Sequence, residues 1–439
     1  MSEYQEVYRE HNLSDVVDLK HGYQFRDEDF VEEGIPVIKI SNVKGTGLDT
    51  KSVTYVSWNR LEEFESVVIK NNDILMSLTG NIGRVVVVSG LKGPVFQNYR
   101  VGKFEPLSES LDKGFLACLL SSESLFDQLE QYSNQSAQAN FGKQDLDKLK
   151  VIIPETISTQ QKIAKILSTV DNLIEKTQAL IDKYTAIKQG MMADLFTRGI
   201  DMTTGDTSNS KGGKLRPSVE DAPELYKQTE LGWVPKEWEV RSIEDVSLGG
   251  FKNGYFKDPK LVGSGMKLIN VSELYQDYGI DITTEKVERI KVSRKDYEKY
   301  KVELGDIFFT RSSLVLEGIA KSNIVRVLPE KAVFECHVMR LKPDQSQVAP
   351  EFLAIYTGMS AARSYLMSMA KQVTMTTIAQ PDMVGLPVPV PPLGEQEKVI
   401  QQLNSIEELI VKETAEMKKN KAIKKGLMQD LLTGKVKVQ

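Results

Sequence analysis

The sequence is poor in the residues that most chemistry requires. Two cysteines in 439 residues, Cys118 and Cys336, are too few for a disulfide framework and lack metal-ligand spacing. The three histidines, His11, His21 and His337, are scattered, with no i,i+4 pair and no zinc pattern. The Asn/Asp-Pro-Pro-aromatic tetrad of amino-methyltransferases is absent; the one Pro-Pro pair, Pro391-Pro392, sits between Val390 and Leu393. Gly45–Gly47 and Gly263–Gly265 lack the third glycine of a cofactor loop, and no Walker phosphate loop occurs. Acidic residues are plentiful but form no metal-nuclease constellation. The expectation is therefore a non-enzyme with no catalytic residues, no metal ligands and no cofactor. No apolar run approaches the roughly 18–20 residues that span a bilayer. The start, MSEYQEVYREHNL, is polar and acidic, unlike a signal peptide. A cytoplasmic protein without membrane contact is expected.

A basic surplus is missing as well. Net charge is −5. Residues 1–153 carry 16 basic and 23 acidic side chains, net −7; residues 236–390 carry 21 and 20; residues 391–439 carry 9 and 7. A nucleic-acid binder usually shows a globally basic face, so local clusters or a partner would have to supply attraction to phosphate.

What the chain does have is a long statement made twice. Residues 159–198 reappear without a gap at 395–434, an offset of 236. Gln160 matches Gln396, Leu167 matches Leu403, and Ala186-Ile187-Lys188 matches Ala422-Ile423-Lys424. Solenoid units run to roughly 20–50 residues, so this is a duplicated half-molecule. Both copies read as helices of about 38 residues, roughly 55 Å long at 1.5 Å rise. In the first, Ile163, Ile166, Val170, Leu173, Thr177, Leu180, Tyr184, Ile187 and Met191 alternate steps of three and four, the coiled-coil spacing. Glu413 and Asn420 occupy the same places in the second copy as Thr177 and Tyr184, putting polar groups on the seam. Pro154 and Pro391-Pro392 precede the helices, and Gly199 and Gly434 end them. Pairing as an antiparallel coiled coil, which relates the halves by a pseudo-two-fold axis, is the simplest closure.

The segments before the helices are related more faintly. Gly34–Ser41 parallels Gly265–Ser272, and Asn72–Ser77 parallels Gly305–Thr310. Short β-branched runs between turn signals predict a mixed α/β fold with a sheet core. The expected layout is a variable domain over 1–153, a helix over 154–198, a linker over 199–235, a second variable domain over 236–390 and a second helix over 391–439. The linker is rich in Gly, Ser, Thr, Asp and Pro; Trp233 and Trp238 are expected to pin its end onto a folded surface.

This order and these motifs resemble the specificity subunit of type I restriction-modification enzymes, over nearly the whole chain. The elements that carry the resemblance are the helix starts, Gln160–Ile163 and Gln396–Val399, and the helix ends, Lys188–Thr197 and Lys424–Thr433. The Asn/Gly-Asp-Ile strand in each variable domain agrees too. The first helix start departs from the family pattern, carrying Thr159-Gln160 where Glu-Gln is common. The resemblance implies an α/β fold with two target recognition domains separated by two spacer helices. Each domain would read one half of a split double-stranded DNA target. The helices would set the gap and dock two methyltransferase (modification) subunits; two restriction (nuclease-translocase) subunits can join. On the helices, Gln160, Ile163, Leu173, Tyr184, Ile187, Gln396, Val399, Leu409, Ile423 and Leu427 are the expected spacer and partner positions. Because the two variable domains differ, the target should be asymmetric.

Base edges are read by Arg or Lys on guanine and Asn or Gln on adenine, while Lys and Arg on phosphate position without specifying. In the first domain the candidates are Lys39, Ser41, Asn42 and Lys44; Thr79, Asn81 and Arg84; and Gln138, Asn140 and Lys143. In the second they are Asn270 and Ser272; Thr310, Arg311, Ser312 and Ser313; and Lys371, Thr374 and Thr376. Arg84 and Arg311 are the sharpest of these, with Gln97–Arg100 in second rank. Taken singly, each polar loop residue reads more readily as an ordinary turn former; recurrence in both halves is what points to DNA. The alternative is a coiled-coil adaptor linking two identical protein partners without reading DNA, motivated by the acidic first domain.

Overall fold

The computed structural model describes residues 7–44, 47–134, 141–203, 213–372, 375–436 and 438. The chain divides into two compact units, Met1–Ile181 with Lys412–Gln439, and Asp182–Val411. Each contains one mixed α/β domain and part of each long helix.

The central strand of each domain is set up by its turn. In the first, Asn72 takes a left-handed conformation (φ 69°), which Asn tolerates better than most residues. The Asp73 carboxylate then accepts the Lys70 N–H at 2.9 Å, closing the turn and starting the wholly buried strand Ile74–Ser77. In the second, Gly305 (φ 83°) and Asp306 do the same, with Glu303 N–H donating to Asp306 at 2.8 Å before the buried strand Ile307–Thr310. The faint Asn/Gly-Asp-Ile motif is thus a turn-capping device. A cation backs each aspartate: Lys103 lies 3.6 Å from Asp73 and Arg340 lies 3.7 Å from Asp306.

Around these strands the two sheets are built alike. Ile74–Ser77 lies between antiparallel Val85–Val87 and Val101–Pro106; Ile307–Thr310 lies between Ser322–Val327 and Val338–Pro343. A second sheet in each domain contains one parallel pair, Ile35–Ile38 with Val95–Gln97 and Val262–Ile269 with Ala332–Phe334. Each domain closes on itself, its first strand pairing with its last: Tyr8–Asn12 with Lys150–Pro154, and Glu239–Ser242 with Pro387–Val390. The chain then enters the long helices, Ile157–Thr197 and Leu393–Leu432, roughly 60 Å each.

The glutamine of each helix start is fully buried and spends its amide on its own domain. Gln160 accepts the Asp112 N–H at 2.7 Å and donates to Ser110 and Pro154 carbonyls. Gln396 accepts the Ala349 N–H at 2.8 Å and donates to Gln347 and Pro391 carbonyls. The same three bonds are made twice. The motif therefore fixes helix to domain, and neither Gln160 and Gln396 nor the buried Ile163 and Val399 is available to a partner.

Helix pairing is antiparallel in each unit. In the first, Asp171 meets Lys424 at 2.5 Å; in the second, Glu407 meets Lys188. Asp171 and Glu407, like Lys188 and Lys424, are repeat partners, so one contact is the duplicate of the other. The seam differs from the expected one. Ile163, Leu167 and Thr177 are buried, with Ile174 and Ile181 half-buried, while Leu173, Leu180 and Ile187 are 47%, 37% and 39% exposed. Apolar residues stand side by side at 166–167, 173–174 and 180–181. Both stripes therefore fit the three-four spacing, and packing selects the second.

The linker is more than a tether. Ile200–Asp201 pairs with Lys214–Leu215, bringing Arg216 onto the second helix start. There the buried guanidinium grips Glu395 through two contacts, 2.5 and 3.1 Å, and also meets Glu237 at 2.7 Å. Trp238, fully buried, donates its indole N–H to the same Glu395 at 3.2 Å, whereas Trp233 stays 47% exposed. Of the two tryptophans expected to pin the linker, one is buried. Thr159, at the matching place in the first copy, hydrogen-bonds locally, to Thr156.

Candidate nucleic-acid interface

Each central strand ends in a hydroxyl that clasps the loop following it. Ser77 donates to the Asn81 carbonyl at 2.6 Å and accepts the Arg84 N–H at 3.1 Å. Thr310 donates to the Gly318 carbonyl at 2.5 Å and accepts the Lys321 N–H at 2.9 Å. The clasped loops are thus held at both ends, the first shorter than the second. Thr310, fully buried with its hydroxyl committed, holds its loop and offers nothing to a ligand.

In the first domain three predicted loops meet. Gly80 lies against Ile40, whose Cδ1 would stand 3.8 Å from a β-carbon on the glycine, and Phe141 N–H bonds the Leu78 carbonyl at 2.9 Å. Within this apex Ser41, Lys44, Asn81 and Arg84 are exposed. Asn42 is not: it is 2% exposed, accepts the Lys39 N–H and donates to the Asp49 and Ser52 carbonyls, so its amide builds the loop. Lys39 lies over the Phe30 ring at 4.2 Å. Lys143 is exposed but paired with Asp18 at 2.6 Å. The Thr79 hydroxyl is buried without a hydrogen-bond partner. Gln138 and Asn140 lie outside the described residues.

In the second domain the loops are joined by a small sheet. Ser312–Ser313 pairs with Thr376–Thr377, which pairs with Lys371–Gln372. Arg311 and Lys371 are exposed and Ser312 and Ser313 half-buried, but Thr376 is buried. Asn270 and Ser272 point their polar groups inward, Asn270 toward Leu268 and Glu288, Ser272 to Glu273 at 2.9 Å. Thr374 lies outside the described residues.

Two contributors were missed or ranked low. The turn after the parallel strand touches the clasped loop in both domains: Leu78 N–H bonds the Arg100 carbonyl at 3.0 Å, and Arg311 N–H bonds the His337 carbonyl at 2.8 Å. Arg100 therefore belongs to the first apex, its guanidinium stacked on Tyr99 at 5.2 Å. His337 belongs to the second, its Nδ1 2.8 Å from the Ser312 hydroxyl. A signal was present in Gly22-Tyr23 and Gly254-Tyr255. A β-carbon at either glycine would stand 2.0 or 2.1 Å from the carbonyl of Gln97 or Glu335, so only glycine lets this turn pack in place.

Two domains of one design, each presenting exposed polar and cationic loops of different content, define a duplicated recognition protein. The chain belongs to the type I restriction-modification DNA specificity family, whose domain model matches residues 6–184 and 235–425. It is similar to the type I restriction enzyme MjaVIII specificity subunit of Methanocaldococcus jannaschii, 25% identical over 383 residues, covering 85% of this chain and 81% of that one. To the EcoKI specificity subunit of Escherichia coli it is 20% identical, covering 90% and 81%. The fold is that of the crystallised S subunit from M. genitalium, with a TM-score of 0.58 at 13% identity over 98% of this chain and 97% of that one. Among the described residues no helix is long and apolar enough to cross a membrane.

Proposed function

We propose that this chain is the non-catalytic DNA-reading subunit of a type I restriction-modification complex, each domain reading one half of a bipartite, asymmetric target. The observation that supports this reading is the paired apex: the same clasped loop and neighbouring turn, carrying Asn81, Arg84 and Arg100 in one domain and Arg311, Ser312 and His337 in the other. Guanidinium groups held beside small hydroxyl and amide side chains suit base edges and phosphates. Different groups on one frame suit different half-sites.

The helices set the gap and dock two methyltransferase subunits, with two nuclease-translocase subunits able to join. Supporting this is the stripe left outside the seam. Leu173 and Ile187 on the first helix, and their repeat partners Leu409 and Ile423 on the second, are 39–47% exposed at the same heptad place. Polar Thr177 and Asn420 are buried instead. Apolar residues two heptads apart on a solvent face fit partner helices. Tyr184 and Leu427 are half-buried beside them.

The test is to map methylated adenines in cells expressing the cognate methyltransferase with and without this chain. A split, asymmetric motif that depends on the chain is the expected result. A stable complex that adds no methylation would sink DNA reading and favour the adaptor.

A further inference from the structure

Glu335 is a buried carboxylate to which no cation is paired among the described residues. It is 6% exposed, and burying a charge without a counter-charge is costly. The matching place in the first domain holds Asn98, a neutral amide whose oxygen accepts the Arg100 N–H at 3.2 Å. Glu335 accepts the equivalent His337 N–H at 3.0 Å and lies 3.8 Å from the Cys336 thiol, but it brings a carboxylate where the first domain has a neutral amide. The carboxylate, the thiol sulfur and an imidazole nitrogen of His337 all lie within 4.8 Å of one another. Three ligand types thus converge on the tight turn between Ala332–Phe334 and Val338–Pro343.

We infer that Glu335, Cys336 and His337 form a binding site for a divalent d-block cation of the zinc class. One oxygen, one thiolate and one imidazole suit zinc, whereas calcium and magnesium take oxygen alone. Binding releases the Cys336 proton to solvent and supplies the positive charge that the buried carboxylate lacks. Three protein ligands leave a fourth position, which the exposed side of His337 opens to water. The Ser312 hydroxyl, 2.8 Å from Nδ1, orients the ring from outside as second partners do at metal-bound imidazoles. A bound ion would tie the turn to the loop that carries Arg311 and Ser312. The first domain, with Asn98, Tyr99 and Arg100 at this turn, has no equivalent.

The test uses the full chain, stripped with a chelator and titrated with Co²⁺. One equivalent is expected to bind, with thiolate-to-cobalt charge-transfer absorption that Zn²⁺ displaces. Cys336→Ser should abolish that absorption. His337→Ala and Glu335→Gln should weaken binding by more than the roughly 10–100-fold that loss of an outer partner costs. Cys118→Ser should leave it unchanged. Equal unfolding temperatures of the metal-free variants establish that the fold is intact. A native chain without the charge-transfer band, or a Cys336→Ser chain that keeps it, overturns the site. Neither DNA nor methyltransferase enters the measurement, so its outcome is independent of the proposed function.

Discussion

In the first domain the residue after the clasped strand is Leu78, and the cation stands across from it at Arg100; in the second the same two places hold Arg311 and His337. The frame around them hardly changes: an aspartate-capped turn, a buried strand, a hydroxyl clasp and a glycine-tyrosine pair recur in both. The positions proposed for recognition touch one another through backbone hydrogen bonds, which leaves their side chains free to diverge. A cation can move from one strand to its neighbour without altering the scaffold. The same lesson applies at the helix starts, where Gln160 and Gln396 make identical bonds while their neighbours, Thr159 and Glu395, differ completely.

That last difference offers the largest effect. Glu395→Ala leaves Arg216 buried without its main partner and should destabilise the second unit by about 3–5 kcal/mol. Thr159→Ala should cost no more than about 1 kcal/mol. Denaturant unfolding of both variants checks the asymmetry, and equal losses would remove it.

Asp306 should next give the second unit a pH-dependent stability. Burial raises its carboxyl to about 6, from 3.8 in the unfolded chain. A carboxyl raised on folding adds stability that is full below pH 3.8 and lost as pH rises through about 6. The span is on the order of 3 kcal/mol. Asp306→Asn should flatten the unfolding profile across this window; a profile that keeps its slope would assign the pH dependence elsewhere.

Replacing the shared glutamines should show where the halves agree. Gln160→Ala and Gln396→Ala each leave buried backbone groups unpaired, at about 1–3 kcal/mol. Calorimetry should find the two losses within about 1 kcal/mol of each other; a larger gap would mean that the duplicated bonds are not equivalent.

Arg100→Ala and Arg311→Ala should each relax discrimination by about 1–3 kcal/mol, each at one half-site only. Competition binding by the assembled methyltransferase complex, using targets altered in one half at a time, reads this directly. A variant that weakens both halves equally is touching phosphate rather than bases. Finally, a heptad inserted into both helices should widen the gap by about 10 Å, or about three base pairs, with both half-sites unchanged.

Much of this was legible in the residues. The unbroken match of 159–198 with 395–434 exposed the duplication, and seven-residue spacing exposed the paired helices. Less legible was which of two adjacent apolar stripes would be buried, because Leu173 and Ile174 satisfy the period equally. Among the loop candidates, Asn42 and Thr310 have the right chemistry, yet their polar atoms are consumed in building the loops. Side-chain type alone cannot tell an amide that reads from one that holds a turn.

Local sequence therefore determined the elements that repeat: capped turns, strands and helix length. Their causes lie within a few residues of chain, in backbone conformation, side-chain period and caps. Tertiary structure decided the rest. It paired Arg216 with Glu395, and it set Arg100 beside Leu78 and His337 beside Ser312. These groups acquire partners only when distant strands close, because charge, burial and hydrogen-bond reach act through space over a few ångströms rather than along the chain.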